Sequence, residues 1–357
     1  MKQETNENKR PPKKLEDLGE FGLIRYLTEN LPLLNKSTVK GVGDDAAVIK
    51  PPRGTLQLVS SDMLVEGVHF DLSYFPLKHL GYKTAIVNFS DIYAMNGYAR
   101  QFLIDIAVSN RFGLEALEEF YTGIRLAAER YGVDIVGGDT VSSRKGMILS
   151  GTAVGDVKKE RVVYRSGAKP NDLLIVTGDL GAAYAGLLIL LREKETFLAN
   201  PAHQPDLTPY AYVVERQLKP EARKDAVEWL EQNDILPTSM IDISDGLSSE
   251  VIHLTEASGY GVHVYEEKIP IATETEAALE EFNMHPVTAA LNGGEDYELL
   301  FSIDQKDYEK IKDVPGFHII GHFTEEPGAF LITTGNQKVE MKAQGWNAFL
   351  ERQKGKE

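Results

Sequence analysis

For most of its length the chain alternates between short apolar runs of strand length and longer segments whose apolar residues recur at helical spacing. Phe21, Leu23, Ile24, Leu27 and Leu31 recur every few residues and Pro32 closes the pattern, which predicts a helix within 15–34. Strands are expected over 46–49 and 56–62, the second delivering Asp62 at its end. The spacing of Leu80, Ile86, Val87, Ile92 and Met95 predicts a helix over 77–96, with Asn88 and Asp91 three apart on one face. A strand over 102–109, a helix over 114–131 stopped by Gly132, a short strand over 133–136 and another over 147–154 complete the first half.

Turn residues and charge combine over 161–172, where a domain boundary is expected. Beyond it the pattern predicts a strand over 173–177, a turn at Gly178 and Gly181 and a helix over 182–192. An irregular segment over 197–209 and helices over 211–218 and 221–233 follow. A strand over 240–243 leads through Ser244, Asp245 and Gly246 into a helix over 247–258, and alternation continues to about residue 349. The reading is a two-domain α/β (α+β) protein with mixed sheets and packed helices. A loose polar tail occupies 1–14, an N-terminal domain 15–160 and a C-terminal domain 161–357.

Composition narrows the chemistry. The 357 residues carry a net charge of −16, which argues against a nucleic-acid partner, since duplex binding needs a clustered basic footprint. That charge also makes an anionic substrate an odd partner unless metal ions neutralise the site. Cysteine is absent, so disulfides, thiolate zinc sites and cysteine nucleophiles are excluded. No apolar run reaches the roughly 20 residues that span a bilayer, and the polar N-terminus has no signal-peptide core. A cytoplasmic protein without a membrane partner is expected.

Acidic motifs recur: Asp44-Asp45 after a glycine turn, Ser60-Ser61-Asp62, Ser90-Asp91, Gly137-Gly138-Asp139-Thr140, Asp242-Ile243-Ser244-Asp245 and Gly293-Gly294-Glu295-Asp296. Each has a plain reading as a turn, a cap or, for Ser90-Asp91, the start of a helix. Together they supply the hard oxygen ligands that Mg²⁺ accepts beside waters and phosphates. The histidines show no transition-metal spacing, and neither a Walker loop nor the protein-kinase motif set is present.

The ordered series 41–47, 60–62 with 65–70, 87–91, 137–140, 165–168, 241–247 and 293–299 resembles the bacterial thiamine-monophosphate kinase family. That family lies in the superfamily of aminoimidazole ribonucleotide synthetase, and the likeness covers about residues 20–349. It implies the synthetase-like two-domain fold, a homodimer, and ATP-dependent phosphorylation of thiamine monophosphate to thiamine diphosphate with several Mg²⁺ ions. By motif position it implies a metal shell of Asp45, Ser60, Ser61, Asp62, Asp91, Asp139, Asp242 and Asp245. It also implies nucleotide contacts at Tyr121, Gly138, Asp139, Arg165 and Ser244, and thiamine-phosphate contacts at His69, Glu295 and Trp346. Ser61 stands where threonine is common in the family and keeps the hydroxyl. The alternatives are another ATP-using synthetase of the superfamily and a Mg–nucleotide-binding regulator without turnover. No side chain is singled out as a general base, and a phosphate acceptor needs none.

Overall fold

The computed structural model describes residues 23, 26–29, 31–42, 46–109, 111–202 and 204–343. Leu23 and Tyr26–Thr28 are helical, and the chain leaves that helix before Pro32. Short strands β1 (Thr38–Lys40) and β2 (Val48–Ile49) pair antiparallel. Then come β3 (Thr55–Val65), helix α1 (Leu77–Tyr93), β4 (Tyr98–Val108), helix α2 (Leu114–Tyr131), β5 (Asp134–Ser142) and β6 (Ile148–Lys158).

The four longer strands form one sheet in the order β3-β6-β4-β5. Strands β4 and β5 are parallel, which requires the crossover that α2 supplies. Gly132 ends α2 in the left-handed region, φ 69°, as its position predicts.

The second unit begins with β7 (Leu173–Thr177), α3 (Ala182–Ala199), α4 (Ala211–Leu218), α5 (Lys224–Gln232) and β8 (Ser239–Asp242). It continues with α6 (Leu247–Ser258), β9 (Gly261–Tyr265), α7 (Thr273–Glu280), α8 (Pro286–Asn292) and β10 (Leu299–Ile303). The last elements are α9 (Tyr308–Ile311), β11 (Phe317–Thr324), β12 (Ala329–Ile332) and β13 (Lys338–Glu340). Its seven strands lie in the order β13-β12-β9-β11-β7-β10-β8, mixed because only β12 runs parallel to its neighbour β9. Buried Phe89, Ile92 and Tyr131 of the first unit share one apolar core with Leu218, Ala222 and Leu230 of the second. Among the described residues no helix is long and apolar enough to cross a membrane.

Several expected boundaries move. Strand β3 runs three residues beyond Asp62, and β5 runs through the Gly137–Thr140 motif instead of stopping before it. Aspartate and glycine read as strand breakers in isolation, yet here the ladders Asp62↔Gly151 and Ile104↔Gly138 continue across them. Helix α3 extends to Ala199, through the start of the expected irregular segment, because no breaker precedes Pro201.

Candidate active site

Helix α1 organises the site. It is buried on nearly every side, from Leu80 to Tyr93 with Asp91 alone partly open, because the sheet, α2 and the second unit all pack on it. Ser90 and Asp91 therefore sit in its last turns, and the reading of Ser90 as a helix start is wrong. Polar side chains in such a helix need partners, since an unpaired buried group costs about 1–3 kcal/mol. Asn88 accepts from the Asp62 backbone N–H at 3.0 Å and donates to the Thr84 carbonyl at 2.9 Å, tying α1 to β3 across β6. Gly151 of β6 leaves room for this bridge: a Cβ there would lie 2.3 Å from Asn88 Nδ2.

Three carboxylates meet beside this bridge. Strand alternation turns Ser60 and Asp62 to the same face of β3, toward Asp91 of α1. The Ser60 hydroxyl donates to Asp91 Oδ2, and Ser90 Oγ donates to Asp242 Oδ2 of the second unit at 2.6 Å. Desolvation, the Asp91 charge and a hydrogen bond with Asp91 push the Asp62 carboxyl up to about 7. Burial, then the Asp91 charge, pushes Asp242 up to about 7 as well. Asp91 is raised by burial, opposed by the Ser60 hydrogen bond and the Arg165 charge. Ser60, Asp91, Arg165, Ser166, Ile241 and Asp242 contribute to the wall of a cavity of about 490 Å³ between the two units.

The Ser244-Asp245 loop adjoins Asp242. Glu250, in the first turn of α6, accepts from the Asp245 N–H at 3.1 Å, and burial pushes its own carboxyl up to about 8. Burial also raises Asp245. The Ser244 carbonyl accepts from the Glu295 N–H at 2.7 Å, which brings the glycine-rich turn 293–296 to the site. Glu295 accepts from Lys83 Nζ of α1 at 2.9 Å and from Gln217 Nε2 of α4 at 2.9 Å. His69 Nδ1 accepts from the Val65 N–H at 3.1 Å, and the ring lies near both Glu295 and Lys83. Burial, the largest effect, lowers the His69 pKa, so the ring is neutral at neutral pH.

Ser60, Asp62, Asp91, Arg165 and Asp242 thus converge, with Ser244 and Asp245 following Asp242 in the chain and Glu295, tied to the Ser244 carbonyl, bringing His69 near. Four expected residues do not join them within one copy of the chain. Ser61 points to the opposite face of β3, where its hydroxyl donates to the Gly151 carbonyl at 2.8 Å. Gly138 and Asp139 lie on β5, three strand spacings from β3, roughly 14 Å. Tyr121 is buried on α2 near Asp105 and Thr140. Asp45 and Trp346 lie outside the described residues. Lys83, Gln217 and Glu250 were not anticipated. Lys83 shares its helical segment with a second lysine, Lys78, so residue type and spacing do not single it out.

The donor set suits a hard cation. Among the described residues no group of three or more His, Asp or Glu is arranged to hold a metal ion unaided. Mg²⁺ is commonly bound by one or two carboxylates, its octahedron completed by waters and substrate phosphates. Asp62, Asp91 and Asp242 fit that mode, because burial and then the Asp91 charge raise Asp62 and Asp242, and a cation would offset both effects.

Residues 43–157 match the model described as AIR synthase related protein, N-terminal domain, and residues 169–334 match its C-terminal domain. A thiamine-monophosphate kinase of Aquifex aeolicus is 35% identical, over 94% of this chain and 100% of the relative. One from Bacillus subtilis is 32% identical, over 93% of this chain and 100% of its own length. The solved structure of AaThiL complexed with AMPPCP and TMP superposes with a TM-score of 0.71 at 32% identity, covering 92% of this chain and 97% of that one. Its fold, its acidic cleft and its kinship over nearly the full length agree, and the chain belongs to the thiamine-monophosphate kinase family of enzymes.

Proposed function

We propose that this protein phosphorylates thiamine monophosphate to thiamine diphosphate with ATP, by direct in-line transfer assisted by several Mg²⁺ ions. The observation that carries the reading is the cavity between the two units, with Asp91, Asp242 and Arg165 among the residues that line it. AaThiL, complexed with AMPPCP and TMP, supports the substrate pair.

Asp62, Asp91 and Asp242 would hold the ions, with Asp45 and Asp245 adding ligands. Bound Mg²⁺ offsets the repulsion between two anionic phosphate groups and stabilises the charge of the transition state. Arg165 adds a fixed donor fork for phosphate oxygens, and Ser244 lines the nucleotide side. His69, Glu295 and Trp346 receive thiamine monophosphate. The acceptor already carries its nucleophilic oxygen, so what the protein supplies is alignment and charge. Ser61, Tyr121, Gly138 and Asp139 are assigned no contact within a single copy.

Val59 and Met63 on β3 and Val141 on β5, at the two edges of the first sheet, are exposed apolar side chains that a second copy would cover in a homodimer. The divisions at 14/15 and 160/161 belong to the same proposal, with the second unit closing over the cavity. ADP release should depend on thiamine monophosphate, ATP and Mg²⁺ together. Nucleotide binding without thiamine monophosphate-dependent ADP release would instead favour a regulator.

A further inference from the structure

Lys83 is a cation in the interior of the protein, 1% exposed, midway along α1. Burying an ammonium is costly unless it is paired and hydrogen-bonded, so its partners indicate its purpose. Both come from the second unit: Glu295 Oε1 at 2.9 Å and the Gln217 carbonyl at 3.1 Å. Gln217 then donates its own amide to Glu295 Oε2 at 2.9 Å, so each carboxylate oxygen is held by a different element. The Phe75 ring lies 5.5 Å from the ammonium and walls it from water on another side.

Glu295 is fixed through its backbone as well. It sits in the left-handed region at φ 59°, an uncommon conformation for a glutamate, and its N–H is tied to the Ser244 carbonyl. Such strain persists only where the surroundings over-determine it. The side chain nevertheless stays 28% exposed, and its charge acts on the His69 ring. Lys83 and Ser90 are seven residues apart, two turns and roughly 10 Å along α1, and so share one face. One helix face therefore grips the second unit twice, through Ser90–Asp242 at the carboxylate cluster and through Lys83–Glu295 two turns before it.

We infer that Lys83 is a positioning residue for the acceptor subsite: it aims the Glu295 carboxylate at bound thiamine monophosphate and sets its distance from the Asp62–Asp91–Asp242 cluster. This rests on the reading of Glu295 as a contact to that substrate.

The test measures binding of thiamine monophosphate and of ATP separately by calorimetry, with kinetic constants alongside. Lys83→Met should weaken thiamine monophosphate binding at least tenfold and raise its KM likewise, while ATP binding stays within twofold. Lys83→Arg should recover part of the loss. In a Glu295→Gln background Lys83→Met should add little, because the lysine acts through that carboxylate. Equal weakening of both ligands, or additive losses in the double variant, would overturn the proposal. Should Lys83→Met fail to fold, Glu295→Asp draws the carboxylate away from Lys83 and Gln217 and should cost the same affinity; unchanged affinity would overturn it equally. Failure of the unaltered protein to bind thiamine monophosphate would count against the substrate assignment instead.

Discussion

The Ser90 hydroxyl, fully buried on α1, donates to the Asp242 carboxylate across the boundary between the two units at 2.6 Å. That bond opposes the burial that raises Asp242. Ser90→Ala should therefore make Asp242 harder to ionise and raise the Mg²⁺ concentration needed for half-maximal activity several-fold. The lost hydrogen bond to a charged group should cost about 1.5–3 kcal/mol of stability, readable in denaturant unfolding. Unchanged Mg²⁺ dependence would show that this link does not serve the metal.

Asp91 supports function at the expense of its neighbours. Its charge helps raise both Asp62 and Asp242. Asp91→Asn should abolish most turnover while leaving the metal-free protein at pH 8 as stable as the parent or more so, because repulsion is removed at nearly constant shape. Thermal denaturation without metal checks this, and a variant that unfolds under mild conditions would make Asp91 structural.

Acidity and metal are linked with a definite sign. Asp62 and Asp242 have folded pKa values of about 7, above the ordinary 3.8, so between those limits the folded state binds more protons than the unfolded state. Their contribution in the metal-free protein accordingly favours folding most at low pH and is lost as pH rises from about 4 through 7. Mg²⁺ competes with those protons, so its affinity and its thermal stabilisation should both be greater at pH 8 than at pH 6. Melting curves with and without Mg²⁺ at the two pH values measure it, and an equal shift at both would contradict the pairing.

Asn88, fully buried, holds the geometry from inside the protein. Asn88→Ala leaves the Asp62 N–H and the Thr84 side of the bridge without this partner in a buried setting, at a cost of about 1–3 kcal/mol. Turnover should fall more than affinity, since the register of Asp62 against Asp91 is what loosens. Steady-state kinetics with a melting curve separates that outcome from simple destabilisation.

Direct transfer predicts inversion at the γ-phosphorus when a chiral thiophosphate donor is used. Retention would require a phosphoenzyme and would remove the in-line account.

The sequence by itself determined much of the local structure. Helices over 114–131, 211–218 and 247–258 and the strand over 173–177 were legible to the residue, because their apolar spacing and flanking turn residues agree. The acidic motifs and their order were equally plain. What spacing could not decide was which motifs meet. Ser60 and Asp62 face the cluster while Ser61 faces away, because a strand turns successive side chains to opposite faces and only the ladder with β6 says which face is inward. Whether Ser90-Asp91 began a helix or sat buried near its end depended on the second unit packing over α1. Nothing in the pattern sets Lys83 apart from Lys78 on the same helix; only Glu295, more than two hundred residues later, makes the difference by packing beside it. Such pairings depend on long-range packing, and periodicity within one segment carries no record of what another segment brings against it.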